Sequence, residues 1–122
     1  MKLLNLLLIS LVSTLTIVAR ASTKDLVPLI KEQKAVLVDV REPDEIKEGK
    51  IKGAQIFSSS KMNTAEWEAW AKTLPKDKDI YLYCRSGRRA ERMAEALRAK
   101  GLKAKGAGGF NEWVEAGAES TK

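Results

Sequence analysis

Cys84 is the only cysteine of this 122-residue chain, and its neighbours are those of a reactive thiol. It is followed by three arginines, a serine and a glycine, namely Arg85, Ser86, Gly87, Arg88 and Arg89. The apolar run over residues 80–83 predicts a buried strand, and residues 90–100 predict a helix. Cys84 would then lie at a strand-to-helix turn, where free backbone N–H groups and the helix dipole favour an anion. This environment predicts a thiolate nucleophile.

A lone cysteine at the end of a strand is more often a small buried apolar residue. The charges and the glycine beside Cys84 argue against that inert interpretation. The chain contains no histidine, which excludes both a Cys–His catalytic pair and a histidine-based metal site. We expect no metal and no organic cofactor.

The rest of the chain alternates between strand and helix patterns. Apolar runs predict strands at residues 35–40, 54–57 and 80–83, and a final short strand is expected at residues 103–105. Helical patterns occupy residues 22–33, 43–48, 63–73, 90–100 and 110–116. Pro28 is expected to start or interrupt the first helix, and Asn63 with Glu66 to form a capping pair for the third. This alternation predicts an α/β domain with a small, mostly parallel sheet, and the continuous apolar run at 35–40 predicts helices on both of its faces.

Residues 1–21 have the composition of a cleaved signal peptide. Lys2 is followed by an uncharged apolar stretch from Leu3 to Val18 and then by Ala19-Arg20-Ala21. We expect cleavage after Ala21, export to a bacterial periplasm, and no stable membrane insertion afterwards. An uncleaved anchor is the alternative, but the stretch is shorter than the about 20 apolar residues that a spanning helix needs. Residues 22–122 then form a single domain.

The charge of the chain limits its partners. The formal net charge is +6, and removal of Lys2 and Arg20 with the signal peptide would leave +4. A small positive excess attracts small anionic ligands. The lysines are scattered among acidic residues, so we expect no nucleic-acid partner, and we expect a monomer. One cysteine in an oxidising compartment cannot form an internal disulfide, so it is a free thiol or an intermolecular partner.

Four segments together resemble the rhodanese homology domain in order and spacing. They are Val38-Asp39-Val40-Arg41-Glu42-Pro43, Gly49-Lys50-Ile51-Lys52-Gly53-Ala54, Tyr83-Cys84 with Gly87 and Arg89, and Gly108-Gly109-Phe110 before Trp113. With its signal peptide and single-domain length, the chain is similar to the small periplasmic thiosulfate sulfurtransferases related to phage shock protein E. Lys50 departs from the family, which often has histidine there, at a position that belongs to the scaffold.

The resemblance implies a rhodanese-like α/β fold over residues 22–122 and a sulfurtransferase activity. Cys84 would take the outer sulfur of a small anionic donor such as thiosulfate, release sulfite, and hold the sulfur as a persulfide. Cyanide or a thiol would then accept it. The terminal sulfur is negatively charged throughout, so backbone amides directed at it would act like an oxyanion hole.

The resemblance also suggests roles for the residues that follow the cysteine. Gly87 tolerates the positive φ that a tight loop requires. Arg89 would anchor the loop or bind the sulfonate end of the donor, and Ser86 would donate a further hydrogen bond. Arg85 and Arg88 would attract anionic donors.

Two other functions stay open. The first is phosphatase or arsenate-reductase activity. The related dual-specificity phosphatases have one more residue in the loop, whereas four residues separate Cys84 from Arg89 and the next position is Ala90. Tyr83 also replaces the histidine that such phosphatases carry before the cysteine. The second alternative is a rhodanese module that carries sulfur for, or binds, one dedicated protein partner without turnover.

Other polar and aromatic residues are interpreted as structural. Asp39 and Arg41 follow a buried strand and could be catalytic, but we expect them to fix neighbouring loops. Trp67, Trp70 and Trp113 are expected in the core or in a pocket wall.

Overall fold

Strands and helices alternate along residues 22–122, the part of the chain that the computed structural model describes. In chain order the elements are α1 (Thr23–Lys31), β1 (Val36–Asp39), α2 (Pro43–Ile46), β2 (Lys50–Ile51), β3 (Gln55–Ile56), a 3-10 turn (Ser59–Lys61), α3 (Ala65–Thr73), β4 (Ile80–Cys84), α4 (Arg88–Ala99), β5 (Ala104–Gly109), α5 (Phe110–Glu115) and β6 (Ser120–Thr121). None of these helices is long and apolar enough to cross a membrane. The predicted signal peptide, residues 1–21, lies outside the described residues.

The main sheet has the strand order β3-β1-β4-β5, and all three neighbouring pairs are parallel. This confirms the predicted α/β fold with a small, mostly parallel sheet. Asp39 is in register with Tyr83 across β1 and β4. The last residues of both strands therefore lie at the same edge of the sheet, where Cys84 ends β4. Strands β2 and β6 form a separate antiparallel pair.

Helices cover both faces of the sheet, as the sequence predicts. Successive strand side chains point to opposite faces. Leu82 and Cys84 therefore belong to the core under α3 and α4, whereas Tyr81 and Tyr83 belong to the core under α1 and α5. The tryptophans lie where the sequence predicts: Trp67 is buried in the first core and Trp113 in the second, and the half-buried Trp70 packs against the first core.

Helix α4 packs through one apolar stripe. Its buried side chains lie three and four residues apart and are Ala90, Met93, Ala94 and Leu97. This spacing places them on one face of the helix, against β4 and β5. The stripe fixes how α4 lies on the sheet, and hence where its N-terminus meets Cys84.

Two local predictions were wrong. Pro28 neither starts nor interrupts α1 but lies inside it. Only its own N–H is missing, and its exposed position leaves the unpaired carbonyl of Lys24 on a side that water can reach. The cap of α3 is Thr64 rather than Asn63, because the Thr64 hydroxyl accepts a hydrogen bond from the Trp67 N–H at 3.2 Å.

Asn63 takes a left-handed conformation before that cap, with φ of 66°. Asparagine tolerates this conformation better than most residues. Its side chain also favours helix N-caps, which is why the sequence placed the cap one residue too early. The sequence did not predict β2 or β6, and β5 is longer than the predicted strand at 103–105.

Candidate active site

Cys84 is fully buried at the carboxyl end of β4, directly before the turn into α4. The predicted strand-to-helix turn is thus confirmed. Gly87 is the N-cap of α4, and its N–H donates a hydrogen bond to the Cys84 sulfur with an N···S distance of 3.0 Å. The φ angle of Gly87 is 95°, a conformation that glycine adopts without strain. The sulfur therefore lies at the base of a short loop, near the positive end of a twelve-residue helix.

The loop packs backbone against backbone on the end of β5. The Arg85 carbonyl lies directly over Gly109, so close that a Cβ atom at position 109 would overlap it. A Cβ at Gly87 would lie 3.5 Å from the Cα of Gly108. Gly109 therefore leaves room for the loop that carries Cys84, whereas a Cβ at Gly108 would meet the Glu112 carboxylate.

Arg89 holds this loop to α2 through an ion pair with Glu45. The Nη1 and Nη2 atoms donate to the two carboxylate oxygens at 2.6 Å and 2.9 Å. These hydrogen bonds lower the pKa of Glu45 to about 2. They also raise the pKa of Arg89, to which the nearby Cys84 contributes as well. The arrangement fits the predicted role of Arg89 in anchoring the loop.

Sequence reasoning missed Glu45. Forty-four positions separate it from Arg89, and no local pattern connects the two. The local pattern around Glu45 marks the start of a helix, because Glu45 and Glu42 form a reciprocal capping box at the start of α2. That signal explains the position of the helix but gives no hint of the partner.

The remaining loop side chains lie at the surface. Arg85, Ser86 and Arg88 are exposed, and neither arginine forms an ion pair with any carboxylate in residues 22–122. The contact of the Ser86 hydroxyl is with the backbone N–H of Arg88, at 3.4 Å. The structure therefore brings Gly87 and Arg89 to the sulfur, and leaves Arg85 and Arg88 as exposed cations of the same loop that form no ion pair within residues 22–122.

Asp39 and Arg41 form a buried network behind the loop. The Asp39 carboxylate accepts from Arg41 Nη2 at 2.8 Å and from the Tyr83 hydroxyl at 2.7 Å. Arg41 Nη2 also donates to the Gly49 carbonyl at 2.6 Å. The Tyr83 hydroxyl accepts from the Ile51 N–H at 3.0 Å. The network ties the segment that contains β2 to the central strands, which confirms the interpretation of Asp39 and Arg41 as residues that fix neighbouring loops.

Burial and charge act together on this network. Burial raises the pKa of Tyr83, and the hydrogen bond to Asp39 acts in the same direction. Burial lowers the pKa of Arg41, but the hydrogen bond and the charge of Asp39 outweigh it and leave the pKa raised. The Tyr83 hydroxyl and the Arg41 guanidinium therefore keep their protons.

Of two surface cavities, one adjoins the loop that carries Cys84 and the other does not. One of about 150 Å³ opens beside the loop and is lined by Arg41, Glu48, Arg85, Phe110 and Asn111. The guanidinium of Arg41 lies 4.4 Å from the centre of the Phe110 ring and forms one wall of it. A larger groove of about 670 Å³ lies between α1 and the β2–β6 pair, and none of the loop residues lines it.

The Rhodanese-like domain family matches residues 22–116, and the chain belongs to that family. The chain is 38% identical over 87 residues to the uncharacterized protein YqhL of Bacillus subtilis. It is 35% identical over 94 residues to a mitochondrial protein of Schizosaccharomyces pombe described as a candidate thiosulfate sulfurtransferase. These matches cover 66% and 69% of this chain, and 62% and 66% of the two relatives.

A solved structure points to the same family. The human single-domain sulfurtransferase TSTD1 superposes with a TM-score of 0.62 at 26% identity. The match covers 78% of this chain and 94% of the human one. Together with the family assignment, it supports membership of the sulfurtransferase group in general.

Proposed function

We propose that this protein is a thiosulfate sulfurtransferase, which moves a sulfur atom from thiosulfate or a similar donor to cyanide or a thiol. The observation that carries the proposal is the placement of Cys84. Its sulfur accepts a hydrogen bond from the Gly87 N–H, with an N···S distance of 3.0 Å, at the N-terminus of α4. The domain that contains it belongs to the Rhodanese-like family. A thiolate in that position is a nucleophile whose charge the loop stabilises before and after reaction.

In the first step, the Cys84 thiolate attacks the outer sulfur of thiosulfate. A bond forms between the two sulfur atoms, the bond between the sulfurs of thiosulfate breaks, and its electron pair leaves with sulfite. The products are a Cys84 persulfide, which carries one negative charge, and the sulfite dianion. The exposed Arg85 and Arg88 attract the dianionic donor to the loop that carries Cys84.

In the second step, an acceptor anion attacks the outer sulfur of the persulfide. Cyanide gives thiocyanate and a thiolate gives a new persulfide; in both cases the S–S bond to Cys84 breaks and Cys84 leaves as a thiolate. The charge near the loop is therefore on sulfur at every stage. Amides fixed in advance need no reorganisation to meet it, which is the source of their catalytic effect.

Intact mass spectrometry of the protein before and after incubation with thiosulfate tests the proposal. We expect the mass of one added sulfur atom on Cys84, and its loss as thiocyanate when cyanide is added. A Cys84→Ser variant should acquire no sulfur and lose thiosulfate:cyanide turnover. A folded, reduced wild-type protein that acquires none would refute the proposal. Persulfide that forms but does not pass to cyanide would favour the dedicated sulfur carrier.

We further propose that residues 1–21 are removed and that the mature protein acts in the periplasm as a monomer. The proposal rests on the basic start, the apolar stretch and the Ala19-Arg20-Ala21 site. Expression of the full chain in a Gram-negative host, followed by osmotic release of the periplasm, tests it. A released protein that begins at Ser22 is expected, and a full-length membrane-bound product would contradict it.

A further inference from the structure

The cavity beside the loop contains polar side chains that the fold itself does not use. Glu48, Arg85 and Asn111 line it, and within residues 22–122 their side chains take part in no hydrogen bond or ion pair. By contrast, Arg41 on the same wall is fully engaged with Asp39 and Gly49. The cavity thus presents one free carboxylate, one free guanidinium and one amide.

The size and position of this cavity restrict its ligand. A volume of about 150 Å³ accommodates a molecule the size of a single amino acid. Arg85 follows Cys84 in the chain, so the cavity that Arg85 lines lies beside the loop that carries the sulfur. The opposite charges of Glu48 and Arg85 match a small molecule that carries both an ammonium and a carboxylate.

We propose that this cavity binds the amino-acid head of a zwitterionic thiol of the cysteine type, which is the sulfur acceptor. The ammonium pairs with the Glu48 carboxylate, while the carboxylate pairs with the Arg85 guanidinium and the Asn111 amide. This inference rests on the proposed function, because it concerns the second step of the same reaction. Glu48 distinguishes the acceptor from the donor, since a carboxylate does not favour the thiosulfate dianion.

The chemical step is a sulfur transfer between two thiolates. The thiolate of the acceptor attacks the outer sulfur of the Cys84 persulfide and forms a new S–S bond. The bond between that sulfur and Cys84 breaks, and Cys84 leaves as a thiolate. One negative charge enters with the acceptor and one leaves with its persulfide, so no oxidant or reductant is required.

Four acceptors separate the contributions of the two charges. Persulfide-loaded protein is mixed with cysteine, with N-acetylcysteine, which lacks the ammonium, with cysteamine, which lacks the carboxylate, or with cyanide. Each rate is divided by the cyanide rate of the same variant, which removes any general change in the reactivity of Cys84. Each variant is then compared with wild type for one acceptor at a time, which cancels differences in thiol acidity between acceptors.

Glu48→Gln should lower the relative rate with cysteine and with cysteamine by about fivefold, the size expected for one exposed charge pair. Its relative rate with N-acetylcysteine should not change. Arg85→Gln should show the reverse pattern, with losses for cysteine and N-acetylcysteine. Glu95→Gln removes an exposed carboxylate from the middle of α4, remote from the cavity lining, and serves as the charge-matched control.

A Glu48→Gln effect that is equal for all three thiols would overturn the inference, because it would reflect the general field around Cys84. So would the absence of any effect on cysteine. A wild-type protein that never acquires the persulfide would overturn both this inference and the proposed function. One that loads sulfur and passes it to cyanide, but does not distinguish the thiols, refutes only the inference.

Discussion

Two arginine–carboxylate pairs, one just before α2 and one between α2 and α4, differ in burial. The Asp39–Arg41 pair is almost completely shielded, with side-chain exposures of 0% and 6%. The Glu45–Arg89 pair is about a quarter exposed, at 23% and 29%. Glu45 also contacts both arginines, because its carbonyl accepts a long hydrogen bond from Arg41 Nη1 at 3.4 Å. The same chemistry thus occurs twice, in two environments.

The difference shows how burial changes what an ion pair does. A buried pair must be satisfied completely, since each charge has lost its water, and Asp39 with Arg41 meets this condition through Tyr83 and Gly49. Among the described residues, no buried side-chain nitrogen or oxygen lacks a hydrogen-bond partner. Such a pair is part of the scaffold. A partly exposed pair is weaker, and here it holds the loop of Cys84 to α2.

The largest effect should follow from breaking the buried pair. Asp39→Asn keeps the shape but leaves the Arg41 guanidinium buried without a counter-charge, which should destabilise the protein by about 3–5 kcal/mol. Urea denaturation of both proteins at pH 7 measures the change. Asp44→Asn is the matched control: it makes the same chemical change on α2, where the side chain is 95% exposed, and should shift the unfolding free energy by less than about 0.5 kcal/mol. Equal effects of the two variants would contradict the comparison.

A second test separates two contacts that hold the Cys84 loop, the Glu45–Arg89 ion pair and the packing of the Arg85 carbonyl on Gly109. The backbone of Gly109 is extended, with φ of −125°, so alanine is acceptable there except for its overlap with the Arg85 carbonyl. Gly109→Ala should displace the loop, lower thiosulfate:cyanide turnover at least tenfold, and destabilise the protein by about 1–3 kcal/mol.

Gly101→Ala provides the control for that variant. Gly101 has φ of 86° and no atom within 4 Å of an added Cβ, so alanine adds conformational strain without a clash. It should cost about 1 kcal/mol and leave turnover intact. If both variants keep full turnover, the contact with Gly109 does not position the loop, and the Glu45–Arg89 pair alone must do so.

The features that the sequence predicted are those set by local patterns. The apolar run before Cys84, the stripe of Ala90 and Leu97 on α4, and the glycine at position 87 each identify an element or a turn from neighbouring residues alone. Buried strands that alternate with helices leave few arrangements other than a parallel sheet with helices on both faces. The fold and the location of the thiol were therefore accessible from sequence.

The features that it missed depend on distant partners or on very short elements. Strands β2 and β6 have two residues each, too few for an alternating pattern, and they exist because they pair with each other. Strand β5 is poor in β-branched residues because its glycines leave room for partners distant in the chain, among them Glu91 at Gly106 and the Arg85 carbonyl at Gly109. Likewise, the identity of the Arg89 partner depends on how α2 packs near α4, which no spacing in the sequence records.

The smallest effect concerns the partly exposed pair and depends on pH. The pKa of Glu45 falls from 4.5 to about 2 on folding. As the pH is lowered, Glu45 is therefore protonated in the unfolded chain before it is protonated in the folded protein. The stabilisation by Glu45 is therefore complete above about pH 5 and disappears as the pH falls towards 2. Glu45→Gln should be less stable than wild type by about 1 kcal/mol at pH 7, because solvent screens a pair of this exposure.

Unfolding free energies of wild type and Glu45→Gln, measured from pH 7 to pH 2, test this prediction. The other carboxylates titrate in both proteins, so the difference between the two curves isolates Glu45. That difference should shrink towards zero at pH 2, and high salt should reduce it at pH 7. A difference that stays constant over the whole range would mean that Glu45 stabilises the protein through packing or helix capping rather than through its charge. The distinction between the two pairs would then lie in their hydrogen bonds instead of their burial.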